Sequence, residues 1–161
     1  MKINRSTEQA VFVVMMMALQ KGHTPLPSAT MSTILGVSDS YLKKVLRMLV
    51  EAELITAIPG REGGYSLRRS VETLSLGDVM GAMESVEPPA GASTLAERLF
   101  DSSEHMEHSL ALFYRTFDRA AEAFNDALSS LPLTDLLEEE AYAEGTVDWA
   151  EHPLILERNK P

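Results

Sequence analysis

The sequence predicts a mainly α fold with a small β-hairpin wing: a winged helix-turn-helix domain followed by a long helix suited to dimerisation. Three observations carry that expectation. Between Ser38 and about Ala52, a helical repeat carries an apolar stripe and a cationic stripe on opposite sides. Directly after it, two short runs with β-branched and aromatic residues flank the glycine-rich "PGREGG". From about Ser103 to about Ser130, apolar residues recur at steps alternating between three and four, the pattern of a helix packed lengthwise on another.

The first helix is expected in "NRSTEQAVFVVMMMALQKG", with Ser6 and Gln9 at capping-box spacing and Gly22 as its stop. Lys2 and Arg5 before the apolar run Ala10 to Leu19 imitate a secretion signal. However, Glu8 interrupts the charged part and no small-residue cleavage site follows. The run is also far short of the roughly 20 residues that span a bilayer. A buried helix is expected, with Met15, Met16 and Met17 filling core rather than binding a soft metal.

After the loop "HTPLP", "SATMSTIL" forms a short second helix with Ser28 at or near its cap and Gly36 as its stop. Ser38 caps the third helix. There Leu42, Val45, Leu46 and Leu49 share one face, while Ser40, Lys43, Lys44 and Arg47 repeat the same spacing shifted by two residues. At 3.6 residues per turn that shift puts the second stripe roughly 200° from the first. Helix, glycine turn and amphipathic basic helix make the helix-turn-helix arrangement.

"LITAI" and "YSLRR" read as two strands, with Gly63 and Gly64 expected to supply positive φ at the turn. A phosphate-cradling loop needs its glycines to end in Lys-Ser/Thr at the start of a helix; here a strand follows them. The loop is therefore a hairpin tip, with Arg61 at its end and Arg68 and Arg69 along the second strand. "SLGDVMGAMES" is the fourth helix, capped by Ser75 and Asp78.

A change of charge divides the chain. Residues 1–85 carry nine basic and eight acidic side chains, while residues 86–161 carry 5 basic and 16 acidic. The expected organisation is a DNA-binding domain over 1–85, a linker over 86–102 around "VEPPAGAS", a dimerisation helix region over 103–139, and an acidic, irregular tail over 140–161 whose Trp149 and "HPLILE" are able to dock on the body. In the long helix the seam runs through Met106, Leu110, Phe113, Phe117, Ala120, Phe124, Ala127 and Leu131, with Leu128 beside it. Alone, such a stripe would stay wet, so a second copy of the chain is its expected partner.

With 161 residues and 45% apolar content, the chain can bury a core. It has no cysteine, which excludes disulfides, thiolate zinc sites, cysteine-held iron–sulfur clusters and thiol nucleophiles. "EHMEH" sets Glu104, His105, Glu107 and His108 within one turn, a spacing that imitates a metal site. A solvated first turn, where glutamates complement the helix dipole, accounts for it without a metal. No Ser/His/Asp set, paired catalytic carboxylates or nucleotide loop can be assembled, so an enzyme is not expected.

"LGVSDSYLKKVL", the pattern Gly60-x-x-Gly63-Gly64-Tyr65-x-Leu67-x-Arg69 and "TLSLGDVMGAME" together resemble the Rrf-two family of bacterial winged-helix transcription regulators, over about residues 1–136. "LTDLL" at the close of the long helix agrees. The resemblance implies a homodimer on a palindromic operator, with the third helix in the major groove and the wing in the minor groove. A repressor is expected rather than an enzyme, with repression against activation left open by the sequence.

Three departures stand out. The cluster-holding members carry three cysteines before the dimer helix, and this chain has none, so it is more similar to the family's cluster-free cysteine-metabolism repressors. Pro59 replaces a basic residue that usually precedes the first glycine. Lys43 and Lys44 stand where relatives often carry an acid and an amide.

The expected function is a cytoplasmic, sequence-specific regulator that binds double-stranded DNA, with no cofactor and no membrane partner. An effector or partner protein is left open. Ser38, Ser40, Tyr41, Lys43, Lys44, Arg47, Arg61, Arg68 and Arg69 form the expected DNA-binding set. The alternative is a winged helix used as a protein-docking module without DNA binding.

Overall fold

The computed structural model describes residues 4–84 and 104–158; the expected linker over 86–102 lies outside them. The chain forms α1 (Arg5–Leu19), α2 (Ser28–Leu35), α3 (Asp39–Glu51), β1 (Ile55–Ile58), β2 (Gly64–Leu67), α4 (Leu76–Met83), α5 (Glu104–Ser129), α6 (Glu139–Glu144) and α7 (Pro153–Arg158), joined by short 3₁₀ turns.

α1 is the central rod of the core. Ala10, Val13, Val14 and Met17 are buried on it and meet Leu42, Val45, Leu46 and Leu49 of α3 in one cluster. Met16 joins them, while Met15 is half-buried. The helix opens one residue before Ser6, so the expected Ser6–Gln9 box does not form. Instead Asn4 is extended, with no side-chain cap, and its carbonyl accepts from the amides of Thr7 and Glu8.

Nor does Gly22 stop the helix. α1 ends at Leu19, whose carbonyl accepts from Val147 N, while Lys21 N donates to Val147 O and Gly22 N to Gly145 O. A segment more than a hundred residues away thus takes the carbonyl that a helix end leaves unpaired.

α2 begins at Ser28, after Pro27, and ends at Gly36 in the left-handed region (φ 66°, ψ 32°). Ser38 caps α3 as expected, its Oγ accepting from Tyr41 N.

β1 and β2 pair antiparallel from Ile55↔Leu67 to Ile58↔Gly64. Tyr65 also exchanges two backbone hydrogen bonds with Leu26, so the α1–α2 connection lies against the wing like a third strand. Here the turn departs from expectation. Only Gly60 has a positive φ (118°) in the hairpin loop. Gly63 and Gly64 are required for a different reason, lack of room. A Cβ on Gly63 would meet the Ile58 carbonyl oxygen, and one on Gly64 would lie 2.6 Å from the carbonyl carbon and oxygen of Leu26.

The long helix is where the sequence placed it, spanning 26 residues. Its last turns pack on α4 so closely that a Cβ on Gly77 would come within 2.9 Å of the Ser129 Cα. Beyond the helix, Leu76 N donates to Leu131 O and Leu133 N to Leu74 O, and Leu133 is fully buried. Leu131 therefore leaves the expected seam and joins the body.

The expected irregular tail is a correction. Residues 139–158 carry two helices and dock on the body. The Trp149 indole donates to Met16 O at 2.8 Å, Ile155 is buried and α7 packs on α2. Apart from half-buried Asp148, their acidic residues, such as Glu139, Glu140 and Glu144, are exposed.

Gly64→Ala should destabilise the chain by about 1–3 kcal/mol, because the intruding methyl meets backbone rather than a movable side chain. Urea unfolding followed by circular dichroism checks this. A midpoint equal to the parent's would show that the wing shifts freely away from Leu26.

Candidate nucleic-acid interface

The interface is built on α3. Burial of Leu42, Val45, Leu46 and Leu49 turns Ser40, Tyr41, Lys43, Lys44 and Arg47 outward, and all five are exposed. Their charges are lightly held. Lys43 Nζ lies 2.7 Å from Asp39 Oδ2, and Arg47 Nε lies 3.6 Å from Glu51 Oε1. The Lys43 hydrogen bond holds the Asp39 carboxyl below its usual range, and the same bond raises the Lys43 ammonium. Exposed i,i+4 pairs of this kind contribute only a few tenths of a kcal/mol, so a phosphate can replace the carboxylate at little cost. Lys44 makes no ion pair among the described residues. The Ser38 hydroxyl is engaged as the helix cap and lies 3.5 Å from Ser40 Oγ.

Arg61 sits at the exposed tip of the wing. With Lys21, Pro27, Thr30 and Asp148 it borders a groove of about 660 Å³ between the wing loop and the start of α2. Lys21, which sequence reasoning missed, lies 3.5 Å from Asp148. Nothing in the local sequence signals its position, because the contact depends on the docked C-terminal segment.

Arg68 and Arg69 are not along the second strand as expected. β2 ends at Leu67, and both arginines stand at the hairpin's base, remote along the hairpin from Arg61. Arg68 Nη1 lies 3.2 Å from Glu53 Oε1. Arg69 is spent inside the chain, with Nη1 donating to Asp78 Oδ1 at 3.0 Å and Nη2 to Thr73 O at 2.7 Å.

Asp78 in turn forms the expected capping box with Ser75, accepting from its amide at 2.8 Å and its hydroxyl at 2.7 Å. Partial burial pushes the Asp78 carboxyl up, but the bonds from Ser75 and Arg69 outweigh it and hold the group below its usual range. Arg69 thus fastens the wing's base to α4.

Along α5, Leu112, Phe113 and Phe117 are 56%, 52% and 46% exposed, and the two phenylalanine rings lie 4.8 Å apart. Met106, Leu110, Phe124 and Leu128 are half-buried. Leu128 faces its own domain, lining a hollow of about 380 Å³ with Val11, Phe12, Leu76 and Met80.

Comparison with known proteins gives a consistent picture. A family model described as "Rrf2: Iron-dependent Transcriptional regulator" matches residues 3–139. YwgB of Bacillus subtilis, named for an HTH-type transcriptional regulator, is 34% identical over 105 residues, 65% of this chain and 67% of that protein. The HTH-type transcriptional regulator IscR of Vibrio vulnificus is 35% identical over 88 residues, 54% of this chain and 52% of that protein. The chain therefore spans between half and two thirds of the length of these relatives.

Among solved structures, CymR (YrzC), the global cysteine regulator of B. subtilis, matches with a TM-score of 0.59 at 22% identity. That match covers 84% of this chain and 95% of CymR. The T. potens IscR structure matches at 0.58 and 22%, covering 89% and 91%. At these identities the likeness shows the fold.

The family description names iron, and no cysteine of this chain can hold an iron–sulfur cluster. There is no cysteine in the sequence, and among the described residues no group of three or more His, Asp or Glu side chains is placed to hold a metal ion. Of the "EHMEH" residues, Glu107 and His108 are exposed on α5, and the side chains of Glu104 and His105 lie outside the described residues. Also among the described residues, no helix is long and apolar enough to cross a membrane.

Asp78→Asn weakens the bonds from Ser75 and Arg69 and should cost about 0.5–1.5 kcal/mol at neutral pH, on the order of one net hydrogen bond. A carboxyl whose folded pKa is depressed stabilises above its unfolded value, about 3.9, and that contribution is lost as pH falls through the folded value. The gap between parent and variant in urea unfolding should therefore narrow from pH 7 to about pH 3. A gap of equal size at both would show that the Asp78 charge carries none of it.

Proposed function

The chain belongs to the Rrf2 family of transcriptional regulators, and from that premise we propose that it binds an inverted-repeat operator as a homodimer and represses from it. It is a DNA-binding regulator and not an enzyme. The observation that carries the proposal is the division of α3 into a buried apolar face and an exposed face bearing Lys43, Lys44 and Arg47. A helix held in this way presents its cations to a major groove, which admits one α-helix. Lys43 and Lys44 are assigned to guanine O6 and N7 or to neighbouring phosphates. Arg47, Ser40 and Tyr41 are assigned to the backbone, and Arg61 to the minor groove or its phosphates. Ser38 serves chiefly as the cap, and Arg68 and Arg69 serve chiefly as internal supports. Repression is the sense proposed, because a dimer seated on an operator blocks access to it, and the cytoplasm is the compartment in which such a regulator meets DNA.

Dimerisation is supported by the exposed Leu112, Phe113 and Phe117. Burying a large apolar side chain is worth roughly 1.5–3 kcal/mol, and a second α5 can cover Phe113 and Phe117 along one flank, with Leu112 at its border. A two-fold dimer sets its two recognition helices roughly 34–36 Å apart, or a multiple of that, on one side of the duplex.

The experiment that tests this reading is selection of bound duplexes from a random DNA pool, followed by retardation across a range of salt. An inverted repeat and salt-sensitive binding are expected; a protein that retards no duplex would leave the winged helix as a protein-docking module.

In the selected operator, Lys44→Ala should relax preference for a guanine in each half-site by about 1–3 kcal/mol, read by competition with single-base variants. Arg61→Ala should weaken binding to all sequences alike. If Lys44→Ala keeps the full base preference, Lys44 holds phosphates only.

Phe117→Glu should give a folded monomer in sedimentation velocity that has lost operator binding. A variant that stays dimeric at micromolar concentration would remove Phe117 from the seam.

A further inference from the structure

α7 brings a cation to the helix-turn-helix from the far end of the chain. Every charged residue from Glu138 to Glu151 is acidic, yet Arg158 and Lys160 follow Glu157. Ile155 is buried as α7 packs on α2, and Arg158 Nη1 donates to Thr33 Oγ1 at 2.7 Å. Thr33 is three residues before the Gly36 turn and five before Ser38, the cap of α3. We propose that Arg158 is a further phosphate-binding residue, extending the DNA contact of α3 onto the backbone beside the α2–α3 turn. This rests on the DNA-binding reading above.

Three physical points favour it. The guanidinium has five N–H donors, so the bond to Thr33 leaves most of them for a phosphate. That bond also fixes a long side chain in advance, which lowers the entropy lost on binding. Finally, the Arg158 charge acts on the carboxyl of Asp39, the first residue of α3, alongside the stronger influence of Lys43. The arginine and the recognition helix therefore share one electrostatic neighbourhood.

The simpler role for Arg158, pinning α7 to α2, is separable by salt. A cation that neutralises a phosphate contributes about 0.9 to the slope of log affinity against log salt, equivalent to roughly threefold in affinity between about 50 and 200 mM. The test measures fluorescence anisotropy of the full chain on its selected operator across that range, for the parent, Arg158→Ala, Arg158→Lys and Thr33→Val. Arg158→Ala should bind more weakly, with a slope lower by about 1 per protomer, while Arg158→Lys and Thr33→Val keep the parent slope.

Arg158→Ala with the parent's slope overturns the proposal, whether or not its affinity or thermal stability falls, because the side chain then acts only by docking α7. A parent protein that binds no duplex overturns the DNA reading itself, which is a different failure.

Discussion

Everything on the binding side of this molecule depends on how four residues of α3 are buried against α1. Leu42, Val45, Leu46 and Leu49 are each 2% exposed or less. On a helix of 3.6 residues per turn, fixing that face leaves Lys43, Lys44 and Arg47 no orientation but outward. No ion pair or loop has to aim them. The same packing fixes the helix's depth and rotation, and the Gly36 turn and Ser38 cap fix where it starts. Base reading requires side chains held to a fraction of an ångström, and a dry apolar interface supplies that rigidity better than a network of exposed charges.

The wing and the C-terminal segment are secured by backbone pairing as well as by side chains. Tyr65 pairs with Leu26 on one side of the α1–α2 connection, and Val147 pairs with Leu19 and Lys21 at the end of α1. Both contacts converge on the same stretch, residues 19–26, which has little apolar content of its own to hold it. This explains why an acidic segment is an integral part of a DNA-binding fold. Its glycine and valine close the helix end, Trp149 bonds the last turn of α1 at Met16, and all its carboxylates but Asp148 are exposed. A charge balance summed over residues 86–161 hides that arrangement.

What could be read from the sequence was whatever depends on neighbours within about one helical turn. The opposed stripes of α3, the Gly36 stop, the Ser38 cap and the Ser75–Asp78 box are all of that kind, and the structure has them. Apart from the Ser6–Gln9 box, which fails because α1 starts one residue earlier, and Gly63, crowded by its own loop, the misread features depend on distant partners. Gly22 looked like a helix stop because the segment that takes the carbonyl of Leu19 lies around residue 147. Gly64 looked like a positive-φ position because the Leu26 backbone that crowds it is nearly forty residues away. The bonds of Arg69 to Asp78 and Thr73 were not legible, because a basic pair beside a wing gives no hint that Asp78 will claim one member. Arg158 carried no local signal at all.

The junction between α4 and α5 has a mechanical consequence. With no side chain on Gly77, the two helices touch at backbone distance, and the pairs Leu76–Leu131 and Leu74–Leu133 lock the crossing on its far side. Such a joint behaves as a weld, so α5 is a stiff arm rigidly attached to the domain that carries α3. At 1.5 Å per residue, 26 residues give an arm of roughly 39 Å, and a tilt of about 5° at one end displaces the other by roughly 3.4 Å. That is the rise of one base pair along a DNA strand. In the proposed dimer, a pivot of that size at the seam would shift the recognition helix by one step of the duplex.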